Sequence, residues 1–132
     1  MNKPDYIRLE VNKEKHLLYS LWLRETTSEE LRQGVLQFLK VIQEAEIWYW
    51  VLDARVLRSP SFTDQQWILK EVSPVLIHSS LLKLARIGNN DVFNYITYEN
   101  IAEKTHEQFK AKAEFAQFTS YEAAMDWINM ED

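Results

Sequence analysis

Residues 6–11, Tyr-Ile-Arg-Leu-Glu-Val, alternate apolar and polar side chains, so that Ile7, Leu9 and Val11 share one face and Arg8 and Glu10 the other. That is the period of a half-buried strand. A polar connection, Asn12 to Lys15, leads into Leu17 to Leu23, which is apolar on both faces. The two segments read as a hairpin whose second strand lies deeper in the sheet. Leu31, Val35, Phe38, Leu39 and Ile42 then recur at helical spacing opposite Arg32, Gln33, Lys40 and Gln43, predicting an amphipathic helix that ends near Glu46. Ile47 to Leu52 is apolar at every position, the pattern of a central strand covered on both sides. Trp67, Ile68, Val72 and Val75 suggest a second helix, which Pro74 is expected to limit or bend. Leu82 to Ile87, closed by Gly88-Asn89-Asn90, reads as the next strand, and Glu114 to Phe118 as a weaker last one. Between Asp91 and Lys112 the pattern is helical at its end, through Ile101, Ala102 and Phe109, and undecided from Val92 to Tyr98. Tyr121, Ala124, Trp127 and Ile128 make a short terminal helix.

Three pairs of a Thr with a Glu or Gln three residues later, the pattern of a capping box, stand where helices are expected to begin: Thr27/Glu30, Thr63/Gln66 and Thr119/Glu122. The resulting order is β-β-α-β-α-β-α-β-α, with no linker, internal repeat or charge block to divide residues 1–132. The fold class expected is therefore α/β, a single domain with a mostly parallel sheet, right-handed crossovers and one antiparallel hairpin strand.

Composition narrows the function. At 132 residues, 46% hydrophobic and 27% charged, the chain suits one globular domain. It has no Cys, which removes disulfides, thiolate zinc sites, iron–sulfur clusters and cysteine nucleophiles, and agrees with a reducing compartment. Fifteen Lys and Arg against twenty Asp and Glu leave a formal charge of -5, the wrong sign for a nucleic-acid binder. Two Gly are too few for a glycine-rich phosphate cradle. Residues 1–6 lack the apolar stretch of a signal peptide, and the longest apolar run, Ile47 to Leu52, is too short to span a membrane. The expectation is a cytoplasmic protein that is not integral to a membrane.

His16, His78 and His106 are far apart in sequence, and His106-Glu107 reads as a solvated face rather than a ligand pair, so no metal and no cofactor are expected. No Gly-X-Ser-X-Gly elbow is present; no catalytic residue is assigned and no enzyme is expected. Trp48, Tyr49 and Trp50 could line an apolar pocket, yet neighbouring strand residues point to opposite faces, which favours packing beneath helices on both sides. One candidate site follows from topology, because ligands of open α/β sheets bind outside the carboxyl ends of the strands, where connections diverge. There the central strand delivers Asp53, Arg55, Arg58, Ser59, Ser61 and Thr63, and the next strand Gly88, Asn89, Asn90 and Asp91. Arg55 is the preferred contact, its planar fork suiting a carboxylate or a polar head. The competing reading is that Asp53 and Arg55 pair locally while the Ser, Thr and Asn side chains cap helices and turns. Asp64, in a first helical turn, would repel an anion.

Three stretches resemble the SpoIIAA-like (STAS, anti-sigma-factor antagonist) family, and more closely bacterial STAS/SEC14-like proteins. They are Trp50-Val51-Leu52-Asp53-Ala54, the Ser-Pro-Ser-Phe-Thr-Asp run at 59–64, and Phe118 to Trp127. The resemblance implies the fold already read and a regulatory role through a protein partner. In antagonists of the family a serine at the start of the helix after that strand accepts a phosphoryl group; here Gln65 and Gln66 stand in its place. The resemblance thus implies either a non-catalytic interaction module that lacks this switch, with an unknown protein partner and a homodimer left open, or a binder of a small apolar or amphipathic ligand.

Overall fold

The computed structural model describes residues 4–110 and 112–130; residues 1–3 of the opening hexapeptide, and Ala111 in the Asp91 to Lys112 segment, lie outside it. The elements run β1 (Ile7–Asn12), β2 (Leu17–Trp22), α1 (Ser28–Glu44), β3 (Tyr49–Asp53), α2 (Phe62–Ile77), β4 (Lys83–Ile87), α3 (Val92–Phe109), β5 (Glu114–Phe118) and α4 (Tyr121–Ile128). The strands form one sheet in the order β1-β2-β3-β4-β5, with β1 antiparallel to β2 and every other pair parallel. This is the expected α/β order.

At the hairpin, His16 adopts a left-handed conformation (φ 54°). Its carbonyl accepts hydrogen bonds from Trp48 and Tyr49, and its ring stacks on the Trp48 indole at 3.6 Å. β3 begins at Tyr49 and not at Ile47, and the Trp48 carbonyl just ahead of it accepts from Leu82 N and Lys83 N. Of the three capping boxes only the first forms: Thr27 Oγ1 accepts from Glu30 N at 3.2 Å, and Glu30 Oε1 from Thr27 N at 3.0 Å. The other two helices are capped by neighbouring serines, Ser61 two residues before Thr63 accepting from Asp64 N and Ser120 just after Thr119 accepting from Ala123 N, each at 3.1 Å. Thr63 lies inside α2 and Thr119 ahead of its cap. Pro74 does not end α2, which runs on to Ile77 although the ring removes one backbone donor. The undecided stretch from Val92 to Tyr98 is the first half of α3, capped by Asp91, whose carboxylate accepts from Phe93 N and Asn94 N. Its outer face is apolar, which hides the helical period.

Because the parallel strands advance in one direction, right-handed crossovers carry α1, α2 and α3 over the same face of the sheet. Leu18, Trp22 and Trp50 from the strands meet Leu31, Phe38 and Ile42 of α1 there. Trp22, Phe38 and Trp50 form a chain of edge-to-face rings. The opposite face carries Leu17, Val51, Ala85 and Ile87, covered by Ala124 and Ile128 of α4. Trp50 and Tyr49 thus lie on opposite faces, the packing reading of that run.

Candidate functional site

The residues expected at the carboxyl edge are brought close, and they bond mainly to one another. Arg55 grips Asp53 through Nη2 (2.6 Å) and Nε (3.1 Å), and Tyr19 donates to the same carboxylate. Arg58 donates to Glu25 through Nε and its backbone N. Ser61 and Asp91 are helix caps. Asn89 donates to the carbonyls of Arg55 and Leu57 and accepts from Asp91 N, which ties the two connections together. Ser59, Thr63 and Asn90 are exposed. Since α1, α2 and α3 share one face, the connections after β3 and β4 do not diverge, and the topological argument for a crevice between them loses its premise.

A different polar group stands out. Strand parity puts Lys83, Ala85 and Ile87 on the α4 face and Leu84 and Arg86 beneath α1–α3. Lys83 reaches out of its strand to the carbonyls of Trp127 and Met130. Arg86 does not escape. It is 2% exposed, in register with Leu52 on one side and Gln117 on the other. Its Nη1 donates to Gln117 Oε1 at 3.0 Å and its Nη2 to Asn94 Oδ1 at 2.7 Å, while the guanidinium stacks 3.7 Å above the Tyr98 ring. No carboxylate pairs with it among the described ion pairs. Arg86 Nε and Asn94 Nδ2 are the buried side-chain atoms left without a protein partner among the described residues.

That arrangement is unusual because burying a charge is costly unless an opposite charge or a full set of hydrogen bonds offsets it. Burial pulls the Arg86 guanidinium below its ordinary range, with Tyr98 acting the other way. Burial likewise pushes the Tyr98 phenol up, and the neighbouring cation draws it partly back. Gly88 completes the site: a Cβ there would lie 2.8 Å from Arg86 Nη1.

Arg86 also stands at a boundary. On one side is a cavity of about 130 Å³ between the sheet and α1–α3, walled by Phe38, Trp50, Leu84, Val72 and Ile101 among others. On the other is a pocket of about 270 Å³ at the carboxyl edge, bounded by Gly88, Asn89, Asn94, Gln117 and Thr119. Among the described residues Arg86 alone lines both. Ser73 and Thr105, which also line the cavity, bond to each other, so their hydroxyls are satisfied.

His16 lies in the turn before β2, His78 caps the end of α2 and His106 lies in the last turn of α3. Among the described residues no three His, Asp or Glu side chains are grouped to hold a metal ion, and no helix is long and apolar enough to cross a membrane. Comparison with protein-family models, with curated proteins and with solved structures gives no match to this chain.

Sequence reasoning passed over Arg86, Asn94, Tyr98 and Gln117. The signal was present: two cations interrupt the apolar run Leu82 to Ile87, and they fall on opposite faces of a strand with neighbours on both sides. Arg86 therefore had no solvated face to occupy.

Proposed function

We propose that this chain is a non-catalytic module that binds a small apolar or amphipathic ligand beneath α1, α2 and α3. The observation carrying this reading is the cavity of about 130 Å³, apolar along its walls and bounded at one end by a buried cation. Apolar walls with a few placed polar groups are the usual make-up of a ligand site. The resemblance to STAS/SEC14-like proteins supports the same reading through its ligand-binding branch. Native mass spectrometry of freshly purified protein tests it: a small adduct that is lost on denaturation is expected, and a clean chain mass in every preparation would count against it.

A second reading, an interaction module for a protein partner, is favoured by one feature. Val92, Phe93, Tyr95 and Ile96 form an exposed apolar face on the first turns of α3, with Phe93 79% exposed. Such faces on soluble proteins commonly mark contact surfaces. Replacing Phe93 and Ile96 with Ser should then abolish partner capture without loss of fold.

A further inference from the structure

We propose that the ligand is a compact monocarboxylate, its apolar body in the α1–α3 cavity and its carboxylate at the Arg86 guanidinium, where the cavity meets the carboxyl-edge pocket that Asn94 lines. This inference rests on the ligand-binding reading above and adds the chemical class. Three observations carry it. The first is charge: Arg86 brings one positive charge into the interior with no acidic partner, so a single negative charge neutralises it, whereas a dianion would leave the excess reversed.

The second is the number and kind of free donors. Two donor nitrogens, Arg86 Nε and Asn94 Nδ2, on side chains already bonded to each other, are unpartnered, and a carboxylate presents two acceptor oxygens. A phosphoryl head, with three oxygens and a larger charge, would need donors that this end of the cavity does not offer. A cationic head would meet Arg86 itself. The third is size. An apolar cavity of roughly 150 Å³ accommodates benzene, so about 130 Å³ admits one ring or a short branched chain and excludes a two-tailed lipid. Gly88 belongs to the same design, since a side chain there would push the guanidinium out of position.

The test uses the full chain and five probes of one shape, benzene, benzamide, benzoate, phenylphosphonate and benzylammonium, titrated at neutral pH and followed by amide NMR shifts of the cavity-lining residues. Benzoate is expected to bind at least about tenfold more tightly than benzamide, the scale of one charged hydrogen bond, with phenylphosphonate weaker than benzoate and benzylammonium not bound. Arg86→Met should erase the preference for benzoate over benzamide and leave benzene binding in place. Should that variant not fold, the ranking of the probes on the wild-type chain decides by itself. Aryl probes that bind with benzoate no tighter than benzamide, or with phenylphosphonate the tightest, overturn the carboxylate inference and leave the cavity reading standing. If no probe moves the cavity resonances, the ligand-binding reading falls as well.

Discussion

A Cβ placed on Gly88 would come within 2.8 Å of Arg86 Nη1, and that approach sets the position of the buried guanidinium. Gly88 has no positive φ, so its backbone would accept alanine and only space decides. On an exposed side chain the guanidinium would simply swing aside. Here Asn94, Gln117 and the Tyr98 ring surround it. Gly88→Ala should therefore destabilise the protein by about 1–3 kcal/mol, the range for overpacking, read as a shift of the urea midpoint. The loss should shrink in an Arg86→Met background, because the two residues share one contact. Additive losses would show that the alanine methyl and the guanidinium do not compete.

The helix caps give a contrast within four residues. Ser61 Oγ accepts from Asp64 N, whereas no hydrogen bond of the Thr63 side chain is found in α2. Ser61→Ala should cost about 1 kcal/mol, and Thr63→Ala should leave the thermal midpoint nearly unchanged. Equal losses at the two positions would mean that the capping pattern Thr63/Gln66 operates in solution after all.

That contrast illustrates what the sequence discloses. Apolar period discloses the type of most elements, because alternation in Ile7-Leu9-Val11 and the i, i+4 recurrence from Leu31 to Ile42 each allow one solution. Cap positions shift by a residue or two, since Ser59, Ser61, Thr63 and Asp64 all have cap chemistry and only the entry angle of the chain selects among them. The start of α3 was hidden for another reason: Val92, Phe93, Tyr95 and Ile96 are apolar on the outside, so burial and hydrophobicity disagree there. The carboxyl-edge residues were offered as ligand contacts from strand topology, beside the competing reading of local pairing, and most of their polarity is used locally, in Arg55 with Asp53 and Asn89 with Asp91. Arg86 is one position of the run Leu82 to Ile87 that reads as a strand. Its burial becomes evident only when β3 and β5 are placed on either side of β4.

Acid should weaken the junction between α1 and α2. Burial pushes the Asp64 carboxyl up, but hydrogen bonds from Ser28 (2.6 Å) and Arg32 (3.0 Å) outweigh it and hold the group below its ordinary range. Its folded-state value is thus depressed, so its contribution is present above the unfolded value and is lost as pH falls through the folded one. Half-buried Glu30 behaves alike, drawn down to about 2 by Arg24 and the Thr27 N–H. The thermal midpoint should fall as pH drops from the ordinary carboxylate range near ~4 toward about 2. Asp64→Asn should flatten this limb and lower stability at neutral pH by about 1–3 kcal/mol. An unchanged limb in Asp64→Asn would place the acid sensitivity elsewhere.

Stability and binding should oppose each other at Arg86. Replacing a buried ionic group by well-packed apolar residues is often neutral or stabilising, whereas removing one member of a network that supports the fold is costly. Arg86→Met alone leaves Asn94 Oδ1 and Gln117 Oε1 without their donor, so the informative variant also removes Asn94, whose Nδ2 is already unpartnered. Gln117 keeps its own bonds to Tyr95 O and Glu99 Oε1. Without added ligand, Arg86→Met/Asn94→Leu should be at least as stable as the parent in urea. With benzoate present the order should reverse, because only the parent gains from binding. A loss of about 3–5 kcal/mol in the double variant, in ligand-free buffer and with a native-like circular dichroism spectrum, would show instead that the guanidinium holds β4 and α3 together, and that its burial is structural.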